Sequence, residues 1–177
     1  MTIMRNLAVL FAVCLALVAG PRLSAQTWTK SSWPDHGFAA EFPFAPELDS
    51  TAIGEMDGRM MTIIGAGSEI GYFAVMVTPM PEFTEEVLAD AEARETILDG
   101  AQQQTLADGG GTLKSQRAIT LDGRYGREII STIPGEKAEV HTRIYLDDLR
   151  MIMQIAVVAD KSVLPTGTRF LNSFRFL

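Results

Sequence analysis

Seven residues within one stretch of thirty-odd carry the side chains best suited to hold an anion or move a proton: Arg124, Glu128, His141, Arg143, Tyr145, Arg150 and Gln154. They fall on three successive segments that alternate apolar and polar residues, a pattern of period two that marks strands. If Pro134-Gly135 closes a tight hairpin, Arg124 faces Tyr145, Gly126 faces Arg143 and Glu128 faces His141. A turn at Asp147-Asp148 then sets Arg150 beside Tyr145 and Gln154 beside His141. Because side chains alternate between faces, all seven share one face of the sheet, and a one-residue slip would scatter them. Three chemistries are open to such a cluster. It could dock a small anionic ligand or an envelope protein. It could be a hydrolase-type site around Glu128, His141 and Tyr145, with histidine as the base that titrates near neutrality. Or it could be a solvated face laced by cross-strand pairs worth about 0.2–1 kcal/mol each.

Other chemistry has less to build on. Gly65-Ala66-Gly67 follows a strand, but Gly71 comes one place too late for G-x-G-x-x-G, and a strand follows where a dinucleotide loop needs a helix. The two histidines, His36 and His141, lack the paired spacing of a zinc site. Met151 and Met153 alternate on a strand rich in Ile and Val, where methionine is ordinary core filling, although thioethers also suit Cu(I). No G-x-S-x-G is present. Glu85, Glu86, Asp90, Glu92 and Glu95 read as the solvated face of one helix. No motif asks for a cofactor or a metal.

The elements that must position the cluster follow from turn and cap signals. A short strand at 37–42 stops at Pro43, and Asp57-Gly58 joins two runs into a hairpin through a type I′ turn. A strand spans 71–79. From 84 to 107 the chain loses its β-branched runs and fills with Ala, Glu, Gln and Leu, with Thr84 as N-cap and Gly109 to Gly111 as the stop. This is the one long helix, weakened by Gly100 by about 1 kcal/mol relative to Ala. Four strands follow, at 113–121, 124–133, 138–146 and 149–159, with turns at Asp122-Gly123, Pro134-Gly135 and Asp147-Asp148. Pro then Gly supplies the central pair of a type II turn. A short helix over 162–172 carries Pro165 in its first turn, and 174–177 closes with a strand. The expected fold class is α+β, an antiparallel meander sandwiched by helices.

The N-terminus speaks to location. Arg5 precedes the unbroken apolar run 7–20, after which Pro21 and Leu23-Ser24-Ala25 form a small-residue cleavage pattern. Fourteen helical residues reach about 21 Å, short of the bilayer's apolar core of about 30 Å. Residues 1–25 are therefore expected to be a signal peptide and 26–177 one domain, periplasmic or secreted, with no membrane span after cleavage. The only cysteine, Cys14, leaves with the leader. The chain carries a net charge of −7, and losing Arg5 and Arg22 makes the remainder more acidic. That balance disfavours nucleic acid and anionic lipid as partners.

Four segments carry a resemblance: Gly37-Phe38-x-x-x-Phe42-Pro43-x-x-Pro46, Gly123-x-x-Gly126-Arg127-Glu128, Arg143-Ile144-Tyr145, and Arg169-Phe170-Leu171-Asn172-Ser173-Phe174. Together they resemble the small exported bacterial domains of the PsbP-like superfamily, named for an extrinsic subunit of photosystem II. The resemblance implies an antiparallel sheet between helices, no catalytic site, and an accessory or binding role. The expectation is a non-enzymatic envelope domain that binds a protein or small ligand. A hydrolase and a carrier of an apolar ligand held between the long helix and the sheet stand as alternatives, and the oligomeric state is left open.

Overall fold

The structure, a computed structural model, describes residues 27–49 and 61–177. The expected leader and the Asp57-Gly58 turn lie outside the described residues. Seven antiparallel strands make the main sheet, in the order β3-β4-β5-β9-β8-β7-β6. They are β3 (Glu47–Asp49), β4 (Thr62–Ser68), β5 (Gly71–Pro79), β6 (Thr112–Leu121), β7 (Arg124–Thr132), β8 (Glu139–Asp147) and β9 (Arg150–Val158). A smaller sheet, β1-β2-β10, joins β1 (Thr29–Trp33), β2 (Phe38–Phe42) and β10 (Arg175–Phe176). The expected α+β class and the β6–β9 meander are both present.

The helices are α1 (Glu85–Ala89), α2 (Ala91–Asp108) and α3 (Leu164–Ser173). The single helix expected from Thr84 onward is thus two. Thr84 caps α1 as expected, accepting from Val87 N–H. Asp90 leaves the helical region (φ −77°, ψ 121°) and its side chain accepts from Glu92 and Ala93 N–H, starting a second helix. An aspartate that can bond its own downstream backbone competes with helix continuation, and here it wins.

Two apolar layers flank the main sheet. On one side α3 and the small sheet press Phe38, Phe42, Phe170 and Phe174 onto Phe73, Val75 and Ile152. Each aromatic buried there stabilises the fold by about 1.5–3 kcal/mol. On the other side α2 lies over β7 and β8, with Leu98 against Ile129, Ile144 and Met153.

Register is the point at which the sequence-based expectation needs correcting. Asp122 (φ 50°) and Gly123 (φ 79°) form the expected two-residue turn between β6 and β7. Gly135 (φ 84°) and the bond from Glu136 N–H to Ile133 C=O make the expected Pro-Gly turn, but β7 and β8 close only at Thr132↔Glu139. The connection is therefore longer than a tight hairpin, and the pairing moves by two residues. Glu128 faces Arg143, not His141, and Gly126 faces Tyr145. Asp148 and Leu149 (φ 58°), not Asp147 and Asp148, form the next turn, so Asp147 faces Arg150 and Arg143 faces Gln154. A shift of two keeps every side chain on its face.

Candidate functional site

All seven expected site residues do share one sheet face, and that face is occupied by the chain's own C-terminal segment. Glu128 accepts from Arg143 Nε (2.7 Å) and from Arg117 Nε (2.8 Å). Burial works to raise the Glu128 carboxyl, but the hydrogen bonds from Arg143 and Arg117 outweigh it and hold it below the usual range. Arg143 also donates to the Leu171 carbonyl and to Asn172 Oδ1, both at 3.0 Å, and Gln154 Nε2 donates to the same Leu171 carbonyl. Asp147, 2% exposed, accepts from Arg124 and Arg150 together. The Arg124 guanidinium lies over the Phe176 ring, and Arg150 packs against Gly37, whose φ of +76° and missing Cβ make the room.

The three residues of the hydrolase alternative have three different surroundings. Glu128 is held between arginines. His141 Nε2 sits 3.3 Å from Glu139, which also takes Lys114. Tyr145 stacks on Phe174 and meets the edge of Phe176, and burial pushes its hydroxyl's pKa up. Its ring lies where a Cβ on Gly126 would be 2.8 Å from Cδ1, so glycine is needed there. This face works as a clamp on residues 171–176.

The opposite face holds two features outside the seven-residue cluster. The first is Arg127, 6% exposed at a position where the strand otherwise presents Tyr125 and Ile129 to the core. It donates to Glu95 and to Asp99 (2.6 Å) on α2, while Tyr125 Oη donates to Glu95 (2.6 Å). Tyr125 and Arg127 hold Glu95 below its ordinary pKa against the opposing effect of burial. A charged residue at an inward position of a strand, opposite a helix with acids four apart, was the available signal.

The second is a cleft of about 530 Å³ between α2 and the uncovered half of the sheet. Because α2 sits over β7 and β8, the floor made by β5 and β9 is left open beside it. Met61, Met76, Met80, Met151 and Met153 line the cleft with Phe83 and Ile155, and Ile97, Ala101 and Thr105 of α2 form one wall. The end wall is fixed by backbone bonds from Met80 N–H to Leu149 C=O (2.6 Å) and from Leu149 N–H to Phe83 C=O. Among the described residues, Glu82 and Asp108 are the charged ones that line it. A separate polar hollow of about 560 Å³ opens near Arg94, Arg124 and Asp147, whose arginines are already engaged. Among the described residues no group of three or more His, Cys, Asp or Glu side chains is placed to hold a metal ion.

Comparison with known proteins bears on the fold. The chain is similar to the solution structure of cyanobacterial PsbP (CyanoP) from Synechocystis sp. PCC 6803, with a TM-score of 0.59 and 11% identity over 92% of this chain and 99% of that one. It also matches a protein of unknown function, PA94 from Pseudomonas aeruginosa, at a TM-score of 0.39 and 11% identity, over 80% of this chain and 88% of that one. The first likeness establishes a PsbP-like fold, as the sequence resemblance implied, and the second is too distant to carry an argument. No protein-family model and no curated protein matches the sequence.

Proposed function

We propose that this chain of PsbP-like fold is an exported, non-enzymatic binding domain of the cell envelope, and that its ligand is an apolar molecule held in the cleft between α2 and the sheet. The observation that carries this reading is the cleft itself: five methionines, Phe83 and Ile155 face a common space of about 530 Å³. That volume falls within the range of sites for small molecules, about 300–1,000 Å³, which are lined mostly by apolar side chains. Methionine is unbranched and polarizable, so its walls adapt to ligands of differing shape. Export is supported by the apolar run 7–20 and the small-residue pattern that ends at Ala25. Among the described residues no helix is long and apolar enough to cross a membrane. The polar face under α3 supports a structural role for the residues that first suggested a site, since the chain's own C-terminal segment takes up their hydrogen bonds.

Fluorescence titration with the neutral dye N-phenyl-1-naphthylamine tests the reading. Saturable enhancement is expected, and Ala101→Trp, which fills the cleft from the α2 wall, should abolish it while the far-ultraviolet circular dichroism stays unchanged. A dye signal that neither saturates nor responds to that substitution would contradict the assignment.

A further inference from the structure

We infer that the ligand of this cleft is a single extended apolar chain of on the order of twelve carbons, and that Phe83 is the stop that sets its length. The inference rests on the reading of the cleft as the binding site and adds the shape of what enters it. The cleft is long because its wall and its floor run side by side. On α2 the lining residues Ile97, Ala101, Thr105 and Asp108 recur every three or four positions, so they form one stripe of the helix. At about 1.5 Å per residue that stripe extends about 17 Å. Met151, Met153 and Ile155 alternate along β9 on one face and give a floor of about 13 Å. Thr105 Oγ1 donates to Met153 Sδ (3.9 Å), which sets the wall beside the floor. Zigzag carbon–carbon bonds of about 1.5 Å advance about 1.25 Å each, so the space takes an extended chain of about ten to fourteen carbons.

Phe83 defines one end of this space. It lines the cleft together with Thr96 and Ile97 at the start of the stripe, and the same three residues line a second, shallower hollow of about 490 Å³. The Phe83 ring, 3% exposed, therefore stands at the junction of the two. Its backbone is held by bonds from Phe83 N–H to Met80 C=O (2.9 Å) and from Leu149 N–H to Phe83 C=O (3.3 Å). Beyond it the second hollow continues along the first turns of α2 past Ala93 and Glu92, with Val87 of α1 on its other side. A tail that enters from the Asp108 end gains apolar contact until it meets Phe83, and gains nothing from further length. Removing the ring joins the two spaces and lengthens the chain that fits.

Isothermal titration calorimetry of the full chain with uncharged alkyl maltosides, below their micellar concentrations, measures that length. From octyl through decyl to dodecyl, affinity should rise about four-fold per added methylene, the factor for moving one from water to an apolar site. Tetradecyl should bind no better than dodecyl. In Phe83→Ala the rise should continue, with tetradecyl binding about ten-fold more tightly than dodecyl. Adding Val87→Trp, which fills the second hollow, should restore the plateau. Phe83→Leu, which keeps more of the core, should extend the rise in the same direction by less. A plateau at one length in the wild type and both Phe83 variants overturns the role of Phe83, as does a shift produced by Ile97→Ala instead. Affinity independent of tail length, with N-phenyl-1-naphthylamine still bound, overturns the chain assignment and leaves the binding reading intact. Failure of the dye and of every maltoside overturns both readings. The cleft then belongs to the chain's own residues 50–60 if replacing them with a glycine linker restores binding. It belongs to a second copy if the chain dimerises, and to a partner helix if a Leu-rich helical peptide binds.

Discussion

Arg143 on β8 joins Glu128 on β7 to the Leu171 carbonyl on α3, so one guanidinium ties the centre of the sheet to the last turn of the C-terminal helix. A side chain that satisfies a carboxylate, a backbone carbonyl and the Asn172 amide at once leaves several polar groups stranded when it is removed.

Arg143→Ala should therefore lower stability by about 2–3 kcal/mol, since the remaining Glu128 charge is mostly buried. Urea denaturation measures this. The Glu128→Leu/Arg143→Leu double variant should cost less than the sum of the two single changes, because the residues are coupled. A loss below about 0.5 kcal/mol for Arg143→Ala would mean the clamp contributes no more than an exposed pair.

Acid should loosen the fold through the same groups. Glu128 and Glu95 both have depressed pKa values in the folded state. Their contribution is then fully present above the unfolded carboxylate pKa of about 4.3 and is lost as pH falls through the lower folded values. Thermal melts from pH 7 to pH 3 should show a falling midpoint below about pH 5. Glu128→Gln should lower the midpoint at pH 7 and flatten the acid limb. An unchanged acid limb in that variant would contradict the assignment.

Two glycines should respond in opposite senses to the same substitution. Gly100 lies in α2 with nothing within 4 Å of where a Cβ would stand. Gly100→Ala should stabilise by about 1 kcal/mol through helix propensity alone. At Gly126 a Cβ would overlap the Ile144 carbonyl oxygen and crowd the Tyr145 ring. Gly126→Ala should destabilise by about 3 kcal/mol or more. Equal effects at the two positions would contradict the register of β7 on β8.

Arg127 is the tether of α2 on the side away from the cleft, through Glu95 and Asp99. Arg127→Met should raise amide hydrogen exchange across 91–108 while leaving β7 and β8 protected. Uniform loss of protection would instead mark Arg127 as a determinant of the whole sheet.

Much of this arrangement was legible because local chemistry dictates it. Asp122-Gly123 and Pro134-Gly135 accept the backbone angles that their turns need, and period-two alternation put Arg124, Glu128, Arg143 and Gln154 on one face. The two-residue shift in pairing was not legible, since the chain from Ile133 to Ala138 can close in more than one way and the choice depends on packing across the sheet. Nor could the sequence say that the face would be covered by residues 171–176, a contact between distant segments. Met151 and Met153 were correctly read as facing the apolar side. That they border a cleft instead of a filled core depends on where α2 crosses the sheet, and α2 is directed to β7 by Arg127.

The cleft as a binding site is tested most directly by the methionine methyls. The chain has nine methionines, and the five among the described residues, Met61, Met76, Met80, Met151 and Met153, all line the cleft. In a methyl-labelled sample titrated with N-phenyl-1-naphthylamine, those five resonances should shift together and saturate at one ligand per chain. Resonances that stay in place, or shifts confined to the remaining methionines, would contradict the account.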